Sequence, residues 1–180
     1  MEGDFDFLKE LIANFFKQED LQQKLQIIYE DERIRGWELW LQIELACFLA
    51  ENTMVDWERE SSIAFDGRKE RNKTFFKPDF LLRKKGWRRE SYIALEIKQH
   101  SEAIACIDNM LKDIEKVSKA RESSADLRCF YALGIFKKEE NKKILKSKIL
   151  DKASRVGWEL EESLIEIQII KNTSYVYAIF

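Results

Sequence analysis

One hundred and eighty residues amount to one domain, or one domain with an appendage. A chain that is 45% hydrophobic and 36% charged, with one proline and six glycines, is not collagen-like, low-complexity or globally disordered. The net charge of −2 excludes a surface that is basic throughout.

From the N-terminus, Phe5, Leu8, Leu11, Ile12, Phe15 and Phe16 recur at helical spacing, and Leu21, Leu25, Ile27 and Ile28 carry the pattern on. A break near Gln18, Glu19 and Asp20 divides this stretch into two helices. Gly36 precedes a strong helix over 37–51, with Trp37, Trp40, Leu41, Leu45, Phe48 and Leu49 as apolar positions. The period becomes two from Val55, which predicts a strand with one wet face. Residues 74–82 read as a second strand interrupted by Pro78, residues 83–86 as a turn, and residues 91–99 as a third strand. Ser101 is placed to cap a helix marked by Ile104, Ile107, Leu111, Ile114 and Val117 and running to about Arg121. A largely apolar strand over 127–136 is expected to be central. A helix ending near Gly157 and two strands, 164–170 and 174–180, turning about Asn172 complete the chain. The expectation is a single α/β (α+β) domain over 1–180: a helical cap at 1–35, a core at 37–136, and a C-terminal helix with two strands at 137–180.

The longest uncharged apolar stretch, Leu45 to Ala50, is too short to cross a bilayer. The N-terminus has neither the basic start nor the apolar core of a signal peptide. A cytoplasmic protein without a membrane partner is the expectation. Cys47, Cys106 and Cys129 form no CxxC pair and read as buried free thiols. With His100 as the one histidine and the three cysteines far apart, a His/Cys zinc site is not expected.

Chemistry concentrates in two places. Residues 66–90 hold ten basic residues against four acidic ones. Arg68, Lys69, Arg71, Lys73, Lys77, Lys84, Lys85 and Arg88 are the candidates for an anionic partner, a pair of solvated loops being the plainer explanation. The second place is Lys77-Pro78-Asp79 followed by Glu96-Ile97-Lys98. On a strand Tyr92, Ala94, Glu96, Lys98 and His100 share one face, and Ile93, Leu95 and Ile97 the other. A carboxylate and an ammonium raised together on a poorly solvated strand are costly without further partners. Pro78 cannot donate to a ladder, so it suits a strand end or distortion from which Asp79 can be aimed. If the strands around 80 and 95 pair as a hairpin, Asp79 approaches Glu96. Two such carboxylates repel unless one is protonated or a cation lies between them. Mg²⁺, with Mn²⁺ as a substitute, suits two carboxylates, waters and a phosphate. The lysine can orient or deprotonate the attacking water, or offset charge on the phosphate.

In the order Pro78-Asp79 … Glu96-x-Lys98, the chain resembles the PD-(D/E)xK nuclease superfamily. The resemblance covers about the middle hundred residues. It implies a restriction-endonuclease-like core, a central mixed sheet flanked by helices, with an N-terminal helical extension. It also implies Mg²⁺-dependent phosphodiester cleavage, with DNA ranked ahead of RNA and low or structure-directed specificity. An acid from the first core helix often joins the site in this family. Glu44 is chosen for its place beside the apolar positions, ahead of Glu38 and Glu51, which a solvated face explains. The implied metal set is Asp79, Glu96 and Glu44, with Lys98 as the catalytic amine.

Gln99 ranks lower because alternation turns it away from Glu96. His100 reads as a strand-end residue, Asp56, Glu58 and Glu60 as a solvated strand face, and Asp113 and Lys116 as solvent-facing. Trp87 stands out as a base-stacking candidate in the basic turn. A competing reading makes the same fold a catalytically silent protein-binding module, an inhibitor or accessory subunit, with Glu96–Lys98 as a structural ion pair. A third makes the match accidental, and places Asp79 and Glu96 on opposite sheet faces.

Overall fold

The computed structural model describes residues 2–64, 75–89, 91–117, 126–138 and 141–180. The N-terminal apolar pattern folds as two helices, α1 (Glu2–Phe16) and α2 (Glu19–Glu30), divided where Gln18 is extended. Gly36, with φ +66°, turns the chain into α3 (Glu38–Glu51). A left-handed residue at that point costs a glycine little.

The strands are β1 (Val55–Arg59), β2 (Ile63–Ala64), β3 (Phe75–Phe76), β4 (Phe80–Lys84), β5 (Ser91–Gln99), β6 (Asp126–Lys137), β7 (Glu166–Ile169) and β8 (Tyr175–Ile179). Between β5 and β6 lies α4 (Ala103–Val117), and between β6 and β7 lies α5 (Lys142–Arg155) followed by a single 3₁₀ turn. The single strand expected over 74–82 is two strands in different sheets. β3 pairs with β2, whereas β4 joins the main sheet between β1 and β5. The division falls at Pro78, which has no N–H to continue a ladder. The two-residue β2 went unread because its two residues leave no periodicity to detect.

The main sheet has six strands in the order β1-β4-β5-β6-β8-β7. Only β5 and β6 run parallel, joined through α4; the other neighbours are antiparallel. β6 is interior, as its apolar composition predicts. β7 and β8 turn through Thr173 and a left-handed Asn172, φ 59°.

Alternation sorts the strands into two cores. Ile93, Leu95 and Ile97 of β5 and Leu133 and Ile135 of β6 pack with Leu8, Ile12, Phe15, Leu25, Leu41 and Leu45 of α1–α3. Residues 2–30 thus belong to one of the sheet's two cores. On the other face, Ala132 and Phe136 of β6 and Val176 and Ala178 of β8 pack with Cys106, Met110, Leu145 and Ile149 of α4 and α5. The result is a mixed sheet between two helical layers. Among the described residues no helix is long and apolar enough to cross a membrane.

The close seat of α4 depends on Gly134, which pairs with Lys98. A Cβ at Gly134 would lie 2.3 Å from Met110 Sδ and 2.9 Å from Cys106 Sγ. Gly134→Ala is therefore expected to destabilise the fold by about 1–3 kcal/mol through overpacking. Adding Met110→Ala should recover part of the loss in a urea unfolding curve. Wild-type stability for Gly134→Ala alone would show that α4 sits farther from the sheet.

Candidate functional site

The site is built where β5 outruns β4. The antiparallel ladder between them runs only through Phe80–Leu95, Leu81–Ala94 and Leu82–Ile93. Beyond Leu95 no strand among the described residues meets the β4-side amides of β5. The even-numbered amides face β6, as shown by the His100 N–H donating to the Ile135 carbonyl. The Ile97 and Gln99 amides therefore face the gap. Two carboxylates fill it. Asp79 Oδ2 accepts from the Ile97 N–H at 2.7 Å, and Glu38 Oε2 accepts from the Gln99 N–H at 3.0 Å. A buried backbone donor must find an acceptor, so the end of β4 itself draws acids to this edge.

Asp79 is one residue before the last β4–β5 pair, so the next register position sets it opposite Glu96. Their side chains hydrogen-bond. Burial, and then the Asp79 charge, push the Glu96 carboxyl up to about 9; the nearby Lys98 ammonium opposes the shift without cancelling it. The shift favours a protonated Glu96 whose O–H meets the Asp79 side chain.

Lys98 shares the Glu96 face, as strand alternation requires. Its Nζ lies 3.0 Å from Asp113 Oδ2, 3.6 Å from Glu96 Oε2 and 3.8 Å from Glu38 Oε1. Burial works against its charge, yet the Asp113 bond and the surrounding acids raise the amine above its ordinary range. Burial likewise raises the Glu38 carboxyl, against the pull of Lys98. Three carboxyl groups, of Asp113, Glu96 and Glu38, thus surround one ammonium, with Asp79 a fourth acid behind Glu96. The cluster carries more acid than its own base neutralises.

Asp79, Glu96 and Lys98 converge as their spacing predicts, and Asp79 and Glu96 are in contact rather than on opposite faces. Glu44 does not join them. Its carboxylate accepts from Lys24 Nζ and Trp40 Nε1, both at 2.9 Å, which holds it between α2 and α3. The acid that arrives from α3 is Glu38. It sits in the first helical turn beside the end of β5, a position that helical spacing alone cannot rank.

Asp113, expected to face solvent, is instead buried at 5% exposure. The signal was available: Cys106, Met110 and Asp113 follow at intervals of four and three, and form the row of α4 that meets the sheet. Lys116 lies outside the residues whose side chains are described.

The basic candidates separate. Arg68, Lys69, Arg71 and Lys73 lie outside the described residues. Lys77 is exposed, two positions before Asp79, with its Nζ over the Phe75 ring. Lys84, Lys85 and Arg88 occupy the β4–β5 turn, at the opposite end of β5. From Ser91 to Lys98 is seven residues, roughly 23 Å of strand. Trp87 packs there against Phe7 and under the Arg128 guanidinium at 4.5 Å, so those two neighbours occupy the ring expected to stack on a base.

Other acids have local partners: Asp56 pairs with Arg83, Glu58 accepts from Ser61 and Tyr92, and Glu60 lies near Arg59. Cys106 is buried and Cys129 half-buried, and burial pushes their thiols up to about 12 and 11. Cys47, expected inside, is exposed.

Among the described residues no three His, Cys, Asp or Glu side chains are grouped so as to enclose a metal ion unaided. Asp79 and Glu96 nevertheless offer two hard oxygen donors at one point. That is the protein share Mg²⁺ ordinarily uses when water and phosphate complete its shell. The chain matches no protein-family model, no curated protein and no solved structure.

The raised Glu96 carboxyl sets a pH dependence. Between its ordinary value of 4.5 and about 9, the folded chain holds a proton that the unfolded chain has released. Stability therefore falls as pH rises through that window. Metal-free Glu96→Gln is expected to melt several degrees above wild type near pH 9, the difference closing toward pH 5. Parallel melting curves across that range would contradict a protonated Glu96.

Proposed function

We propose that this chain is a metal-dependent phosphodiesterase of nucleic acid, DNA ahead of RNA, on a restriction-endonuclease-like core. The observation that carries the reading is the convergence of Asp79 and Glu96, with the Lys98 ammonium on the same face. The succession α3, β1, β4, β5, α4, β6 supports it as well, as the helix, three strands, helix and strand of such a core.

Asp79 and Glu96 would hold Mg²⁺ or Mn²⁺, which supplies positive charge to a phosphoryl oxygen when bound. The protein's own residues divide the remaining work. Glu96 must surrender its proton for a cation to replace it, which makes cation affinity rise with pH. Lys98 keeps its proton, because Asp113, Glu96 and Glu38 all favour the ammonium. It therefore serves as a fixed donor that orients water and offsets phosphoryl charge, in preference to acting as a base. Asp113 and Glu38 act as positioning residues: one clamps the amine, the other fixes the end of β5 through the Gln99 N–H. Lys77 is the described cation best placed for the strand next to Asp79. The Lys84, Lys85 and Arg88 turn lies too far along β5 to touch the same phosphates and would meet a longer substrate only at its far end.

A second reading, the protein-binding module, has an observation of its own. Leu39, Ile43, Cys47 and Ala50 line up along the outer side of α3, and all four are exposed. This helix is apolar on its solvent side as well as its core side, as a helix with a partner would be.

Plasmid cleavage with Mg²⁺, and with EDTA in its place, separates the two. Asp79→Asn, which keeps an acceptor for the Ile97 amide, is expected to abolish cleavage. Lys98→Ala is expected to lower kcat by about 10²–10⁴-fold. That variant leaves Asp113 buried without its ammonium, so its thermal melt is measured alongside. Undiminished cleavage by both variants removes the phosphodiesterase reading. A calorimetric titration without heat from either cation, together with absence of cleavage, favours the binding module.

A further inference from the structure

At the end of β5, beside Gln99, a second polar feature opens. A cleft of about 450 Å³ lies at the end of β5 and β6, between those strands and the α2–α3 connection. Its volume is within the range of sites for small ligands, about 300–1,000 Å³. Arg35, Lys137, His100 and Ser101 line it, with Tyr29 at its side and Glu32 as its one acid among the described residues.

The basic groups here are differently held from Lys98. The Lys137 ammonium lies 5.0 Å from the centre of the Tyr29 ring, and Arg35 Nε donates to the Glu32 backbone carbonyl. Among the described residues neither cation is paired with a carboxylate. The cleft is therefore cationic beside a cluster that is acidic. His100 adds a donor of fixed direction. Its Nδ1 accepts from the Glu102 N–H at 3.0 Å, so in the neutral ring the proton sits on Nε2. The strand itself fixes the spacing. His100 is two residues beyond Lys98, roughly 6–7 Å along β5. Phosphates of one nucleic-acid strand recur about every 3.4 Å along the helix axis.

We propose that this cleft is the subsite for a non-scissile backbone phosphate, one to two nucleotides from the phosphodiester held at Asp79, Glu96 and Lys98, with Arg35, Lys137 and the His100 Nε2–H as its ligands. Its assignment as a flanking subsite rests on the phosphodiesterase reading; its affinity for phosphate does not. The arrangement assigns opposite charges to two neighbouring positions. The acidic cluster takes a phosphate only together with a cation, whereas the cleft takes one without. The chain would then hold a strand in register before the cation arrives.

The lone histidine makes the test direct, because its imidazole gives a single set of NMR signals. Metal-free protein in EDTA is titrated with a six-nucleotide single-stranded oligodeoxythymidylate, and separately with inorganic phosphate. A saturable shift of the His100 signals by the oligonucleotide is expected, with at least tenfold weaker binding to Arg35→Met, whose side chain is exposed in wild type, and to Lys137→Met. Each variant should also lower the slope of log affinity against log salt by about one. In cleavage assays both should raise KM and leave kcat near wild type.

A His100 signal unmoved by the oligonucleotide, or unchanged binding in both variants, overturns the subsite. A shift with inorganic phosphate but none with the oligonucleotide also overturns it, since the cleft would then be a site for a free anion. Oligonucleotide binding that both variants weaken, in a protein that cuts nothing, sustains the phosphate site and removes the phosphodiesterase reading. Cleavage with an inert cleft does the reverse.

Discussion

The end of one strand beside a longer neighbour governs this structure. β4 stops at Phe80 while β5 continues to Gln99. Hydrogen-bond satisfaction then requires acceptors for the Ile97 and Gln99 amides, and the chain supplies the Asp79 and Glu38 carboxylates. A ladder strand would have used backbone carbonyls, which carry no net charge. Substituting carboxylates places negative charge at the sheet edge, within reach of the next outward-pointing side chains of β5. The acidity of the cluster is thus a consequence of the sheet's own geometry.

Packing on the two faces gives that edge its character. α4 can approach because Gly134 offers no Cβ, and this approach brings Asp113 down onto Lys98. The lysine is then surrounded by acids, held protonated, and kept from serving as a base. Glu96 is affected in the opposite sense. Buried beside Asp79, it keeps a proton that an exposed carboxyl would have lost. Two neighbours on one strand face, both ordinarily charged, are tuned apart. One is held as an ammonium, the other favoured as a neutral carboxyl.

Removing Lys98 would leave Asp113 buried without its ammonium, and removing Asp79 would leave a strand amide without an acceptor. Function and stability are therefore entangled here. Asp79→Asn separates them better than truncation, because an amide oxygen still meets the Ile97 N–H. At the end of β5 the balance of charge reverses within two residues. Beyond Gln99 the basic lining groups include Arg35, Lys137 and His100, and among the described residues Glu32 is the one acid beside them.

Much of this was legible in the sequence. Helical spacing marks α1 to α5, the end expected near Arg121 lying outside the described residues; period-two alternation puts Glu96 and Lys98 on one face, and the single proline marks where a strand must stop. These are local properties, fixed by backbone sterics and by the alternation of side chains along a strand or helix. The choice of Glu38 over Glu44, the burial of Asp113, the separation of Lys84, Lys85 and Arg88 from the cluster, and the packing of Trp87 under Arg128 were not local. Each depends on which element lies against which, and at what register. Glu44 and Glu38 are on one helix, six residues apart, and only the seating of that helix over the end of β5 decides which carboxylate reaches the Gln99 amide. The sequence by itself determined the kinds of groups available and the faces they share. The tertiary structure alone decided which meet, because contacts between distant segments are set by the packing of whole elements and not by the spacing of residues within one.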